Sequence, residues 1–263
     1  MICPLWAVPA GRQARIRMLG RLSGRAEPLT DEPLAPDPGQ AHSRWMHGTT
    51  IILAACLAAT PATACETALL LSVDVSGSID GGDFRLQTEG IAAALADPTV
   101  AEALVADQVA LAVVQWSGVG EAALVLPWQR MLSPGDVPAF AARVLEMDRA
   151  YSGSDTAVGE GLRFALTQFA AVTDCRRRVI DVSGDGQENA GFTDAEARNE
   201  AIVAEVTLNA IAIEEPGPAA PITSYYRRWI ITPDGFVVTA RGLQDYAETL
   251  RLKLLRELVK PVG

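Results

Sequence analysis

The feature that most constrains this chain is the apolar run Ala68–Val73, which stops abruptly at Asp74. A strand without polar alternation is buried on both faces, and a parallel sheet covered by helices on each side provides that environment. A second buried strand is expected at Val179–Ser183, ending at Gly184-Asp185-Gly186. Further strands are expected at Val109–Trp116, Ala122–Leu126 and Val206–Ile213. Helical patterns fall between them: one around Phe84, Ile91 and Leu95 that stops at Asp97-Pro98, one opened by Ser133-Pro134 and running to about Met147, and one over Thr156–Ala171. Thr193–Glu205 reads as a helix with a Thr193…Glu196 capping box, and Gly242–Val259 as a closing amphipathic helix. The stretch from Ser224 to Ile231 fits a helix, and Phe236–Thr239 an edge strand. Strands alternating with helices predict a Rossmann-like, doubly wound α/β fold: a mainly parallel sheet with helices on both faces.

In such a sheet, ligands sit at the carboxyl ends of the strands, next to the point where strand order reverses. Asp74 and Asp185 both stand at such ends. Asp74, Ser76 and Ser78 form D-x-S-x-S, and alternation in an extended loop turns their three oxygens the same way. A carboxylate and two hydroxyls make half the shell of a hard, oxygen-loving cation such as Mg²⁺, leaving room for other loops and for a ligand. Gly77 permits a tight turn there. Two further loops offer oxygens: Gly153 to Gly159, containing Thr156, and Ser183 to Gly186, containing Asp185.

The amino-terminal part has a different character. Residues 1–45 scatter Arg among Pro, Leu and Ala without a period, and read as disordered or untranslated leader. Residues 46–64 resemble a signal peptide: an apolar stretch from Ile51 to Ala59 precedes Pro61-Ala62-Thr63-Ala64, a small-residue cleavage site before Cys65. The stretch is too short to span a bilayer. Leu53-Ala54-Ala55-Cys56 would also suit lipid attachment at Cys56. The remaining domain, 65–263, is then expected in the periplasm or secreted. After cleavage two cysteines remain, and an oxidising compartment favours a bridge. Cys65 lies nine residues before Asp74 and Cys175 ten before Asp185, so neighbouring parallel strands would set them side by side. Such a bridge is worth roughly 4–5 kcal/mol in the chain-entropy model. Two buried thiols are the other reading.

The charge balance and the missing residue types exclude several functions. Residues 1–64 hold six Arg against four acidic residues, so +2 of the net charge of −10 falls there and −12 on the rest. A domain so acidic repels nucleic acid and anionic membranes. His42 and His47 both precede residue 65, which removes Ser-His-Asp and Cys-His catalysis and histidine-rich zinc sites from the domain. Lys is confined to Lys253 and Lys260, neither after a Gly-rich loop, so no phosphate-cradling P-loop is present.

The three loops together resemble those of the von Willebrand factor A domain family with its metal-ion-dependent adhesion site. The resemblance spans about residues 66–259. It implies a metal shell of Asp74, Ser76, Ser78, Thr156 and Asp185, with the hydroxyls touching the ion and the aspartates largely holding its waters. The metal implied is Mg²⁺, with Mn²⁺ or Ca²⁺ as substitutes. Such an ion remains electrophilic and takes an Asp or Glu carboxylate from a protein partner, without a chemical step. The run from Val179 to Gly186, Tyr225-Tyr226 and the segment from Lys253 to Glu257 look like an uncharacterised bacterial branch of exported A-domain proteins. Near these ligands, Asp181 reads as a buried structural residue and Trp116 as core packing.

Three rivals stand beside this reading. An aspartic protease needs Asp followed directly by Ser or Thr, and Val75 and Val182 intervene. A haloacid-dehalogenase-like phosphatase, or another metal-dependent hydrolase, shares the Asp after the first strand. It would need a second Asp where Ser76 stands and a catalytic Lys. A structural A-like domain without bound metal is the third.

Overall fold

A computed structural model describes residues 65–153, 155–215 and 221–258. The leader, the signal-like segment with its cleavage site, and Cys56 lie outside the described residues. The elements in order are β1 (Thr67–Asp74), α1 (Gly81–Ala96), α2 (Pro98–Ala106), β2 (Ala110–Trp116), β3 (Ala122–Arg130), α3 (Asp136–Leu145), α4 (Val158–Gln168), β4 (Arg177–Gly184), α5 (Asp194–Val203), β5 (Thr207–Ile213), α6 (Ile222–Tyr225), β6 (Val237–Ala240) and α7 (Tyr246–Leu258). A single π-helical turn, Tyr226–Ile230, extends α6.

The six strands form one sheet in the order β3-β2-β1-β4-β5-β6. All neighbours run parallel except β3, which pairs antiparallel with β2 at the edge. This is the doubly wound α/β sheet expected. Strands β1 and β2 are buried along their whole length, as their unbroken apolar sequences require. Side chains alternate across the sheet, so each face builds its own core. Leu69, Leu71, Val113 and Ile211 face α1, α2, α3 and α7, whereas Leu70, Val114, Ile180 and Ala210 face α4, α5 and the π-helical turn. No helix among the described residues is long and apolar enough to cross a membrane.

The cysteine expectation holds. Cys65 and Cys175 form a disulfide with Cα atoms 4.3 Å apart, linking positions 110 residues apart in sequence. The amide of Arg176 donates to the Cys65 carbonyl at 2.9 Å, so the bridge fastens β1 to β4 at their amino-terminal ends. It lies at the opposite end of the sheet from Asp74 and Asp185.

Four local expectations need correction. Asp97-Pro98 stops one helix but also begins another, α2: the Asp97 carboxylate accepts from Thr99 N and Val100 N, and Pro98 occupies the first turn. Ser133-Pro134 precedes α3 rather than opening it, because the Asp136 carboxylate takes the Leu132 and Ser133 amides and starts the helix at itself. The Thr193…Glu196 capping box does not form: Thr193 makes no side-chain cap, while Glu188 Oε2 accepts from the Asp194 amide at 2.9 Å and Asp194 Oδ1 from the Ala195 amide at 2.6 Å. Strand β3 also runs on past Leu126 to Arg130, through register shifts opposite Val113 that accommodate Pro127 on an edge.

Candidate metal centre

The chain leaves β1 toward β2 and β3 on one side, then crosses to β4, β5 and β6 on the other. The reversal falls between β1 and β4, and the loops after these two strands carry D-x-S-x-S and Asp185. Topology therefore brings together groups 107 residues apart: Ser78 Oγ donates to Asp185 Oδ1 at 2.6 Å. Thr156 Oγ1 donates to Ser76 Oγ at 3.1 Å, and the hydroxyls of Ser76 and Ser78 stand 3.4 Å apart. The five oxygen-bearing residues singled out in the sequence thus form one cluster from three loops.

Each is held by backbone interactions that the motif alone does not reveal. Asp74 Oδ1 accepts from Ser76 N at 2.8 Å, which curls the loop back on its own carboxylate. The Arg149 guanidinium donates to the carbonyls of Val75 and Ser76 at 2.8 and 2.9 Å, and Gln87 Nε2 donates to the Asp74 carbonyl at 3.2 Å. Thr156 is fixed from the β4–α5 loop: its amide donates to Asn189 Oδ1 at 2.8 Å, and its carbonyl accepts from the amides of Asn189 and Ala190. That is why α4 begins at Val158 rather than at Thr156. Glu188 joins two helix starts, accepting from Gly159 N and Asp194 N, both at 2.9 Å. Arg149, Gln87, Asn189 and this role of Glu188 were missed in the sequence, since each acts on a loop distant along the chain.

The electrostatics of the cluster centre on Asp74. Asp74 is fully buried, and its Oδ2 has no hydrogen-bond partner. Burial pushes its carboxyl up to about 7, more than the Ser76 hydrogen bonds and the Arg149 charge pull it down. Asp185 is raised as well, mainly by burial, against the Ser78 hydrogen bond. Gly184 leaves the space beside Asp74 open, since a Cβ there would stand 2.4 Å from Tyr226 Oη and 2.8 Å from Asp74 Oδ2. A buried carboxylate oxygen without a partner, beside three converging hydroxyls, suits a hard divalent cation, whose charge would offset the desolvation of Asp74. The described residues contain no cluster of three or more His, Cys, Asp and Glu; the donors are two carboxylates and three hydroxyls, an all-oxygen set that suits a hard cation better than a soft one.

Fold and loops together define the class: a von Willebrand factor A-like domain. Solved structures share the fold. The proximal thread matrix protein 1 of the mussel byssus matches with a TM-score of 0.57 at 20% identity over 72% of this chain and 47% of its own. The von Willebrand factor type A protein from Catenulispora acidiphila matches with 0.55 at 20% identity over 75% and 44%. The pilus adhesin SpaC from Lactobacillus rhamnosus GG matches with 0.57 at 13% identity over 73% and 30%. This chain thus spans less than half the length of those proteins. The mussel protein has also been solved with a zinc-occupied MIDAS motif. No curated protein matches the chain. Within the class, residues 64–262 match the family model described as "Protein of unknown function (DUF1194)", and the chain belongs to that family.

Proposed function

We infer that Asp74, Ser76, Ser78, Thr156 and Asp185 hold a divalent cation, Mg²⁺ in the first instance with Mn²⁺ or Ca²⁺ able to replace it, and that the protein is a binding domain rather than an enzyme. The observation that carries this reading is the buried, unpartnered Oδ2 of Asp74 beside the linked hydroxyls of Ser76, Ser78 and Thr156. An ion held mostly by neutral oxygens keeps its Lewis acidity and accepts a carboxylate from a protein partner. The disulfide and the signal-like segment support action outside the cytoplasm, in the periplasm or secreted. The mussel relative with a metal in this motif and the pilus adhesin support the same reading.

Isothermal titration with Mg²⁺ and Mn²⁺ tests it. Wild type is expected to bind one ion saturably, and Asp74→Ala to bind none. A wild-type titration without saturable heat or competition would leave the structural, metal-free domain as the reading.

A further inference from the structure

We propose that the metal face carries a second, apolar contact made by Val119 and Phe192, and that the partner segment it fits is an isolated carboxylate close to a large apolar side chain and free of other acidic groups. The inference rests on the carboxylate-capturing metal site and adds what stands beside the captured carboxylate.

The β4–α5 loop is tied to the site at one end and to α4 at the other. Asn189 and Ala190 are bonded to Thr156, while Thr193 packs so closely on α4 that a Cβ at Gly159 would lie 2.4 Å from its backbone. Between these anchors Gly191 and Phe192 both adopt left-handed backbone, with φ of 83° and 55°. Glycine does so freely, but an aromatic residue there costs on the order of 1–2 kcal/mol. The result is a phenyl ring 78% exposed on a loop fixed at both ends. A turn alone would be better served by Gly or Asn at this position. Strain of this kind, holding an apolar ring in water, marks a contact surface.

Val119, 59% exposed in the β2–β3 turn, adjoins the same loop: a Cβ at Gly191 would stand 3.4 Å from Val119 Cγ2 and 3.8 Å from Ala157 Cβ, next to Thr156. Carboxylates adjoin this apolar pair: Asp155 is exposed, Glu121 lies against Gly118 beside it, and Glu160, which pairs with Arg163, would lie 3.4 Å from a Cβ at Gly191. Arg149, which lies against the D-x-S-x-S loop, uses its guanidinium on the Val75 and Ser76 carbonyls. The metal thus attracts one carboxylate, and the rim repels further ones and favours apolar or cationic neighbours.

The test uses the full chain with saturating Mg²⁺ and short capped peptides: one central Asp, Lys at both ends, and Gly elsewhere, compared with peptides in which a single Gly becomes Leu. Binding is followed by nuclear magnetic resonance titration. At least one Leu peptide is expected to bind roughly tenfold tighter than the all-Gly peptide, as burial of one side chain implies. Val119→Ser with Phe192→Asn, which keeps the left-handed backbone, should return that peptide to the all-Gly affinity and leave the all-Gly peptide unaffected. Equal binding by all peptides, or a Leu gain that survives the double variant, overturns the apolar contact and leaves metal capture standing. If no peptide binds although titration shows the metal bound, carboxylate capture fails and this contact with it.

Discussion

Two aspartates are buried to nearly the same degree at neighbouring strands of one sheet, and the chain treats them in opposite ways. Asp181, in the middle of β4, turns to the α7 side and pairs with Lys253, which also reaches Glu257 Oε1 at 2.6 Å. Asn209 donates to the same Glu257 oxygen, and the Lys253 ammonium stands 5.2 Å from the Phe236 ring centroid. Burial and the Glu257 carboxylate raise Asp181, and Lys253 opposes them. Asp74, at the end of β1, has no such cation: Arg149 binds the backbone beside it, and Oδ2 is left without a partner. A buried carboxylate needs a positive partner or a proton. On the α7 side the chain supplies the cation covalently, and the result is a structural fastening. At the end of β1 no described side chain supplies one, and that is the gap the proposed cation would fill.

The largest effect should come from breaking the fastening. Lys253→Met leaves two buried carboxylates without a cation and should cost roughly 3–5 kcal/mol, read from urea unfolding at pH 7. Adding Asp181→Asn and Glu257→Gln should recover most of it; a single variant as stable as wild type would show that Lys253 does not carry this balance.

At the proposed metal face the corresponding loss should be reversible and depend on pH. A carboxyl raised in the folded state gives stability below its ordinary value of 3.8 that is lost as pH rises through about 7. In chelator the Asp74 contribution therefore declines across that window, and Asp185 acts in the same direction. Mg²⁺ binds the ionised form, so its stabilisation should be small at pH 5 and largest near pH 8, on the order of 2 kcal/mol at millimolar metal. Thermal melts with Mg²⁺ and with chelator across this range check it, and an increment independent of pH would contradict the coupling.

The smallest effect concerns backbone strain. Phe192→Gly should raise stability by about 1 kcal/mol or less, the relief of left-handed strain net of glycine's entropy. A loss in urea unfolding would show that the ring contributes packing to the fold.

How much of this was legible in sequence depends on the range of the interaction. Strands β1 and β2 could be read because burial on both faces leaves no polar alternation. The bridge between Cys65 and Cys175 could be inferred because two parallel strands share one register. Asp97-Pro98 was half read: the pair that ends α1 also caps α2, and a stop and a start look alike when the helices abut. The Thr193 cap is absent, and carboxylates serve the first amides of α5: Glu188, brought close by the fold, takes Asp194 N, and the Asp194 carboxylate takes Ala195 N. Lys253, in sequence only one of two lysines, is the counter-ion of Asp181, 72 residues away along the chain.

The sequence by itself determined the sheet, its helical layers, and which oxygens stand at the strand ends, because periodicity and local spacing are sufficient for these. The tertiary structure alone decided which of the buried carboxylates is neutralised from within. That outcome depends on α7 placing Lys253 against β4 while no described side chain reaches Oδ2 of Asp74, an arrangement of segments too distant in sequence for any local pattern to record.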